Sequence, residues 1–250
     1  MNPSSADTAA DGGHDALPRP AVWTVADVRL ELMVEGGLYW ADEATLVVAD
    51  LHLEKGSAFA ARGQMLPPYD TAATLQRLSA LVRRLTPRRV IALGDSFHDR
   101  GADGRLREAD RALLRSLTGS AEWIWITGNH DPEPPRDVGG SSAGELALGS
   151  LTFRHEPRAG EARGEIAGHL HPSARVVGRG RSVRRRCFAS DRERLVMPAF
   201  GALAGGLCVL DAAFGPLFGR RPFHAFMLGR DVHPVASHRL VGDARIPAAR

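Results

Sequence analysis

The chain has 250 residues, of which 44% are hydrophobic and 24% are charged, as is usual for a soluble globular domain. The formal net charge is a modest +3. The two cysteines, Cys187 and Cys208, lack the spacing of a thiolate cluster, which argues against a disulfide framework or a zinc–thiolate site. The N-terminal stretch has neither the basic start nor the apolar core of a signal peptide, and the longest uncharged run, 195–210, is too short to cross a bilayer. We therefore expect a cytoplasmic protein.

The chain ends differ from the rest in composition. Residues 1–20 are small and polar and contain prolines, which predicts a disordered tail. We place a single domain at 21–240 and a C-terminal tail at 241–250. Within the domain, the alternating stretches 28–34 and 37–40 predict a hairpin turned at a Glu-Gly-Gly sequence.

Buried strands and helices then alternate along the first half of the chain. Apolar runs at 45–50, 88–95 and 122–131 end in polar residues and predict buried strands. Leucines at helical spacing predict helices over 70–85 and 104–117. This alternation predicts a layered α/β domain.

The second half is predicted to be richer in strands. The Pro- and Gly-rich stretch 131–145 is expected to be irregular. The predicted strands are 151–157, 164–172, 184–190, 194–200, 206–211 and 223–230.

Polar residues with metal-binding chemistry follow several of the apolar runs. Ligands in open α/β sheets bind outside the carboxyl ends of the strands, so these residues are candidates for one site. Residues two apart on an extended segment point the same way, as in the D-x-H and H-x-H pairs. The set comprises Asp50, His52, Asp95, Asn129, His130, His155, His169 and His171.

Carboxylates, imidazoles and an amide, without thiolates, suit manganese, iron or zinc. Even without His130, the seven remaining ligands are too many for one ion but fit two ions that share a carboxylate. Two metals about 3.5–4 Å apart can stabilise the attacking and leaving oxygens at phosphorus. Each motif alone has a structural alternative, since D-x-H at a strand end is often structural and G-H-x-H can be a turn with solvated histidines. The ordered set is what favours a metal site.

The ordered motifs D-x-H, G-D, G-N-H-D, an isolated histidine and G-H-x-H, within about residues 28–210, resemble those of the calcineurin-like metallophosphoesterase superfamily. The segments ADLHLEKGSAFAARGQMLPPYDT, GDSFHD, GEIAGHLHP and MPAFGALAGG resemble the bacterial ligase-associated DNA damage response endonucleases, PdeM. The resemblance implies a four-layer α/β/β/α sandwich. It also implies a phosphodiesterase, most simply a DNA endonuclease in repair, linked to an ATP-dependent DNA ligase, a helicase and an exonuclease.

The resemblance also implies roles for individual residues. Two divalent ions are expected, Mn²⁺ first, with Fe²⁺, Zn²⁺ or Ni²⁺ as alternatives, and a metal-bound hydroxide as nucleophile. His130 would assist the leaving oxygen, oriented by Asp131, and Gly168 would let the backbone approach closely. The first ion would be held by Asp50, His52, Asp95 and His171. The second would be held by Asp95, Asn129, His155 and His169.

One position departs from the superfamily motif. His98, in GDSFHD, stands where an Asp or Asn is usual, a change that the subfamily shares. We expect His98 to contact the substrate phosphate or to act as an auxiliary acid near neutral pH. The alternative is an ordinary histidine of a surface loop.

The arginines after the G-H-x-H motif are the candidate residues for distinguishing DNA from smaller phosphate esters. Phosphate contacts from such a run would make DNA binding strongly salt-dependent, although an ordinary solvated hairpin is the alternative. Other functions left open are a phosphatase or nucleotide phosphodiesterase for small substrates, and a non-catalytic scaffold. The candidate DNA contacts are Arg62, Arg179, Arg181, Arg184, Arg185 and Arg186.

Overall fold

The computed structural model describes residues 19–64, 66–67, 69–129, 137–178 and 180–243. Most of the predicted N-terminal tail therefore lies outside the described residues. None of the described helices is both long and apolar enough to cross a membrane.

The first sheet has seven strands, which follow one another in sequence order across the sheet. Its first four strands are antiparallel, and the last four are parallel. The predicted hairpin is confirmed, because Leu32 pairs with Leu38 across it. The strands are β1 (Ala21–Val25), β2 (Val28–Leu32), β3 (Leu38–Trp40), β4 (Thr45–Ala49), β5 (Arg89–Leu93), β6 (Glu122–Ile126) and β7 (Ser141–Ala143).

The second sheet has nine strands and draws on the second half of the chain. They are β8 (Glu145–Leu148), β9 (Leu151–Arg154), β10 (Glu165–Ala167), β11 (Pro172–Gly178), β12 (Arg181–Ser190), β13 (Arg194–Val196), β14 (Leu207–Cys208), β15 (His224–Leu228) and β16 (Val232–Ala236). The order β14-β11-β12-β13-β10-β9-β8 is extended by β15, which pairs with β12 and β16. Strands β9, β10 and β13 are parallel neighbours, so their carboxyl ends share one edge.

Helices cover the outer face of each sheet. The helices are α1 (Lys55–Ala60), α2 (Asp70–Leu85), α3 (Ala102–Arg105), α4 (Glu108–Thr118) and α5 (Gly215–Phe218). One apolar core joins α2 and α4 to the first sheet, a second lies between the two sheets, and a third packs α5 on the second sheet. This arrangement confirms the four-layer α/β/β/α sandwich.

Two sequence predictions were wrong in part. The stretch 131–145 was expected to be irregular, but its residues 141–143 form β7, parallel to β6. The helix predicted over 104–117 is two helices, because Leu106 is buried in an extended conformation between α3 and α4. The leucine spacing detected the buried face but not the break.

Candidate metal centre

The candidate ligands meet because the carboxyl edges of both sheets lie together. Asp50 directly follows β4, Asp95 follows β5 after one glycine, and Asn129 comes three residues after β6. These three strands are parallel, so their ends share an edge. The second sheet supplies the remaining candidates at the ends of β9 and β10: His155, His169 and His171.

Asp50, His52 and His171 form a first cluster of potential metal ligands. The Nε2 atoms of His52 and His171 lie 3.2 Å apart. His171 Nε2 is 3.3 Å from Asp50 Oδ1. Asp50 is fully buried and His52 is nearly so. Three polar side chains thus face one another, and two of them are shielded from solvent.

Asp95, His155 and His169 form a second cluster. His155 Nε2 is 3.1 Å from His169 Nδ1, 2.9 Å from Asn129 Oδ1 and 3.5 Å from Asp95 Oδ1. The Nδ1 of His155 donates a hydrogen bond to the carbonyl of Leu93 at 3.0 Å. That bond leaves Nε2 directed into the cluster, which is how metal-binding histidines are oriented in proteins.

The two clusters are neighbours. Asp50 Oδ1 lies 3.7 Å from His155 Nδ1 in the second cluster. Asp50 Oδ2 accepts a hydrogen bond from the backbone of His169 at 3.0 Å. The charge of Asp95 in turn acts on His52 in the first cluster. All seven predicted ligands therefore lie together, while the division of metals among them stays a prediction.

The backbone is strained at these residues. Non-glycine residues with positive φ are uncommon, and such conformations cost about 1–3 kcal/mol each where they are sparsely populated. They persist where the surroundings fix them, often at functional sites. Five of the candidate ligands have positive φ: Asp50 (53°), His52 (45°), Asp95 (44°), His169 (67°) and His171 (45°).

Two glycines let the chain come this close. A Cβ on Gly168 would lie 2.6 Å from Asp50 Oδ2, in line with the close approach expected there. A Cβ on Gly94, which has a φ of +66°, would lie 2.4 Å from His155 Nδ1. The sequence analysis included Gly94 in the G-D motif but gave it no structural role, although its place directly before Asp95 was a usable signal.

The donor set fits divalent cations. Ligands about 2.0–2.1 Å from one ion, at tetrahedral or octahedral angles, lie about 2.8–3.4 Å apart. The nitrogen pairs at 3.2 Å and 3.1 Å match that spacing. Asp50 Oδ1 is buried without a hydrogen-bond partner, so its charge calls for a cation. The mix of carboxylate, imidazole and amide suits a divalent ion of the manganese, iron or zinc type.

His52 in the first cluster and His155 in the second have pKa values shifted in opposite directions. Burial lowers the pKa of His52 to about 4, aided by His171, although Asp50 and Asp95 oppose the shift. Burial also acts to lower the pKa of His155, but the hydrogen bond with Asp95 and the charge of Asp50 outweigh it and raise this pKa to about 9. The imidazole of His52 is therefore neutral at pH 7 without a metal, and that of His155 is protonated.

His98 is half-buried beside the first cluster. Its ring centroid is 5.9 Å from that of His52 and 5.8 Å from that of Phe59. Its backbone donates a hydrogen bond to Leu53 O at 2.9 Å. A contact with substrate remains a prediction, and this placement is compatible with it.

The candidate DNA contacts fall into different settings. Arg181 and Arg185 are exposed on the hairpin of β11 and β12, and Arg62 is exposed in the turn after α1. Arg184 and Arg186 are partly buried and donate hydrogen bonds to backbone carbonyls. The predicted residues His130, Asp131 and Arg179 lie outside the described residues.

The sequence profile of the calcineurin-like phosphoesterase family matches residues 44–181. The fold is similar to that of Pseudomonas putida nuclease MPE, at 28% identity and a TM-score of 0.67, over 87% of this chain and 100% of that one. The E. coli phosphoesterase Yfce matches at 12% identity over 76% of this chain and 97% of its own, but with a TM-score of only 0.36. No curated protein matches the chain in sequence.

The sandwich, the paired ligand clusters and the profile define a metallophosphoesterase, a hydrolase that acts on phosphate esters. Because the profile covers more than half of its length, the chain belongs to the calcineurin-like phosphoesterase family. Its similarity to nuclease MPE supports the ligase-associated subfamily indicated by the sequence motifs.

Proposed function

We propose that the protein is a metal-dependent phosphodiesterase that cleaves DNA, with manganese as the preferred metal. The observation that carries this proposal is the pair of adjacent ligand clusters, with Asp50 in contact with both. A phosphodiester bond hydrolyses very slowly without catalysis, so a concentrated positive charge beside the phosphate is a suitable means of acceleration.

In this proposal Asp50, His52 and His171 hold one ion, His155, His169 and Asn129 hold the other, and Asp95 serves both. Two divalent ions bound there would activate water at neutral pH and stabilise charge on the phosphate oxygens. Asp50 and Asp95 provide the negative charge that offsets the ions. The Leu93 carbonyl keeps the donor proton of His155 on Nδ1, so Nε2 stays available as a ligand.

Other residues would act on the substrate directly. We assign to His130 the protonation of the leaving oxygen, with Asp131 as its positioning residue. His98, next to His52, would hold a phosphate oxygen. These assignments follow from the motif order and from the position of His98.

The substrate also needs room next to the ligands. A cavity of about 350 Å³ borders Asn129 and His155 on the side of the second cluster. Its lining includes Arg154 and Arg158, both of which are paired with Glu145, at 2.8 Å and 3.1 Å. The positive and negative side chains that line this cavity nearly balance in charge. The cavity would accommodate the leaving group or a nucleobase of the substrate.

We further propose a role in ligase-associated DNA repair alongside an ATP-dependent ligase, a helicase and an exonuclease. The subfamily motifs support this role, and the similarity to nuclease MPE supports nuclease activity. A preference for small monoesters or nucleotides is the competing function. Rates on bis- and mono-nitrophenyl phosphate and on single- and double-stranded DNA distinguish the two.

The decisive experiment compares the parent with Asp95→Asn in that substrate panel, with and without added manganese. We expect the parent to need the metal, and Asp95→Asn to lose at least about 100-fold in rate, because it removes a charge from the centre. Asp42→Asn is the matched control, since Asp42 is exposed and lies before β4, at the end of that strand opposite the site. Equal rates for the parent and Asp95→Asn would overturn the mechanism.

A further inference from the structure

A second cavity, of about 420 Å³, lies on the second sheet. Three consecutive arginines of β12, Arg184–Arg186, form one wall, and Ala204, Gly205 and Gly206 form another. Gly205 is exposed, and a Cβ built on it would meet nothing within 4 Å. The rim is therefore open backbone that a ligand can approach closely.

Hydrogen bonds tie this cavity to the first cluster through one segment, residues 199–207. The amide of Gly201 donates to Asp50 O at 3.1 Å, and that of Leu207 donates to His171 O at 3.0 Å. From the other side, Arg186 donates to Ala199 O at 2.6 Å and Arg184 donates to Gly206 O at 2.5 Å. The same segment thus borders both the ligands and the arginines.

The cavity is positively charged, and few acidic side chains offset that charge. Among the described residues that line it, three are arginines and none is acidic. Arg184 has an ion pair with Asp243 at 3.3 Å, but Asp243 also pairs with Arg175. Within the described part of the chain, the exposed guanidinium of Arg185 makes one hydrogen bond, to the backbone carbonyl of Arg184 at 3.1 Å.

A neighbouring arginine adds to the positive charge. Arg77 donates a hydrogen bond to Phe200 O, next to the carbonyl that Arg186 binds. Burial and the charge of Arg186 lower the pKa of Arg77 to about 10, which Glu35 partly opposes. The positive charge of Arg77 therefore lies close to that of Arg186 behind the cavity wall, and an anion in the cavity would offset both charges.

In the cavity beside the second cluster, the positive charges are offset by acidic side chains. Its Arg154 and Arg158 have carboxylate partners, and Glu145 and Glu156 also line it. Of the two cavities, the arginine-lined one is the better site for a phosphate. Arginine is suited to it, because its planar guanidinium binds phosphate oxygens in a bidentate manner.

We propose that the cavity lined by Arg184–Arg186 and Gly205 binds a second phosphate of a polynucleotide, next to the phosphate held at the ligand clusters. This inference rests on the proposed function and narrows its substrate class to an extended strand that crosses the segment 199–207. Arg185 makes the main contact, since Arg184 and Arg186 already hold the segment in place. Small diesters, which lack a second phosphate, would not use this cavity.

The test replaces Arg185 by glutamate, with Arg29→Glu as the matched control. Arg29 is an exposed arginine of β2, in the other sheet, so its replacement makes the same change in net charge. The full chain, with manganese, is titrated into a labelled phosphorothioate oligothymidylate, which resists cleavage. We expect Arg185→Glu to bind about tenfold more weakly, and the salt dependence to fall by about one unit of slope. Arg29→Glu should bind as the parent does.

Hydrolysis gives a second measurement. The loss of kcat/KM in Arg185→Glu should be at least about tenfold larger on an oligonucleotide than on bis-nitrophenyl phosphate. If Arg185→Glu fails to fold, Arg185→Gln tests the same contact. Equal weakening by Arg185→Glu and Arg29→Glu, or parent-like binding by the Arg185 variants, would overturn the inference. A parent that binds the oligonucleotide but hydrolyses no diester would instead contradict the proposed function.

Discussion

The two ligand clusters are built differently. In the second cluster the protein itself satisfies much of the chemistry, because His155 is hydrogen-bonded to Leu93 and lies within hydrogen-bond distance of Asn129. In the first cluster Asp50 Oδ1 is buried without a hydrogen bond, and burial keeps His52 neutral. The first cluster therefore depends more on a bound cation, whereas a cation entering the second must displace a proton from His155.

Replacing Asp50 should affect both clusters and so remove the difference between them, because its carboxylate contacts both. We expect Asp50→Asn to bind fewer than two ions per chain and to lose at least about 100-fold in diester hydrolysis. Elemental analysis of the purified protein and initial rates measure the two effects. Asp42→Asn again provides the control. Full metal content in Asp50→Asn would show that Asp50 is not a ligand.

Adding a methyl group at Gly168 tests how tightly the clusters are joined. The new Cβ would lie 2.6 Å from Asp50 Oδ2 and would push that carboxylate away from both clusters. We expect Gly168→Ala to lower activity by about 10–100-fold and stability by about 1–3 kcal/mol. Gly104→Ala is the matched control, since a Cβ there meets nothing within 4 Å. Parent-like behaviour of Gly168→Ala would mean that the backbone can move apart freely.

These expectations show what the sequence reveals and what it does not. Apolar runs that end in Asp50, Asp95 and Asn129 were sufficient to place three ligands at one sheet edge, because parallel strands end together. The histidines of the second sheet could be identified only from the order of the motifs, because the packing of one sheet on the other is what brings them close. The contact of Asp50 with both clusters, and the strained φ angles, depend on that packing and have no local signature in the sequence.

Removing the His98 side chain tests the surroundings of the first cluster. His98 lies against His52 and is not among the grouped ligands. We expect His98→Ala to retain both metals and to lose about tenfold in DNA cleavage, with a changed pH dependence between about pH 6 and 8. A pH–rate profile with metal analysis separates this effect from metal loss. A full rate at every pH would remove the predicted role of His98.

The smallest effect concerns the metal-free protein, where the opposed histidines should shape stability against pH. His155 has a raised pKa of about 9, so its contribution to stability is complete below about pH 6.5 and is lost as the pH rises towards 9. His52 has a lowered pKa of about 4, so stability is lost as the pH falls from about 6.5 towards 4. Urea unfolding in EDTA should therefore give its highest midpoint near pH 6.5.

Single replacements assign the two limbs of that curve. His155→Gln should flatten the alkaline limb and leave the acid limb in place, because only the raised pKa has been removed. His52→Gln should do the reverse, so each variant is the control for the other. If both variants flatten the same limb, then the proposed contrast is wrong. That contrast is between a second cluster satisfied by its own hydrogen bonds and a first cluster that depends on a cation. The two sets of ligands would then behave as one coupled group, in which Asp50 distributes its charge evenly between them.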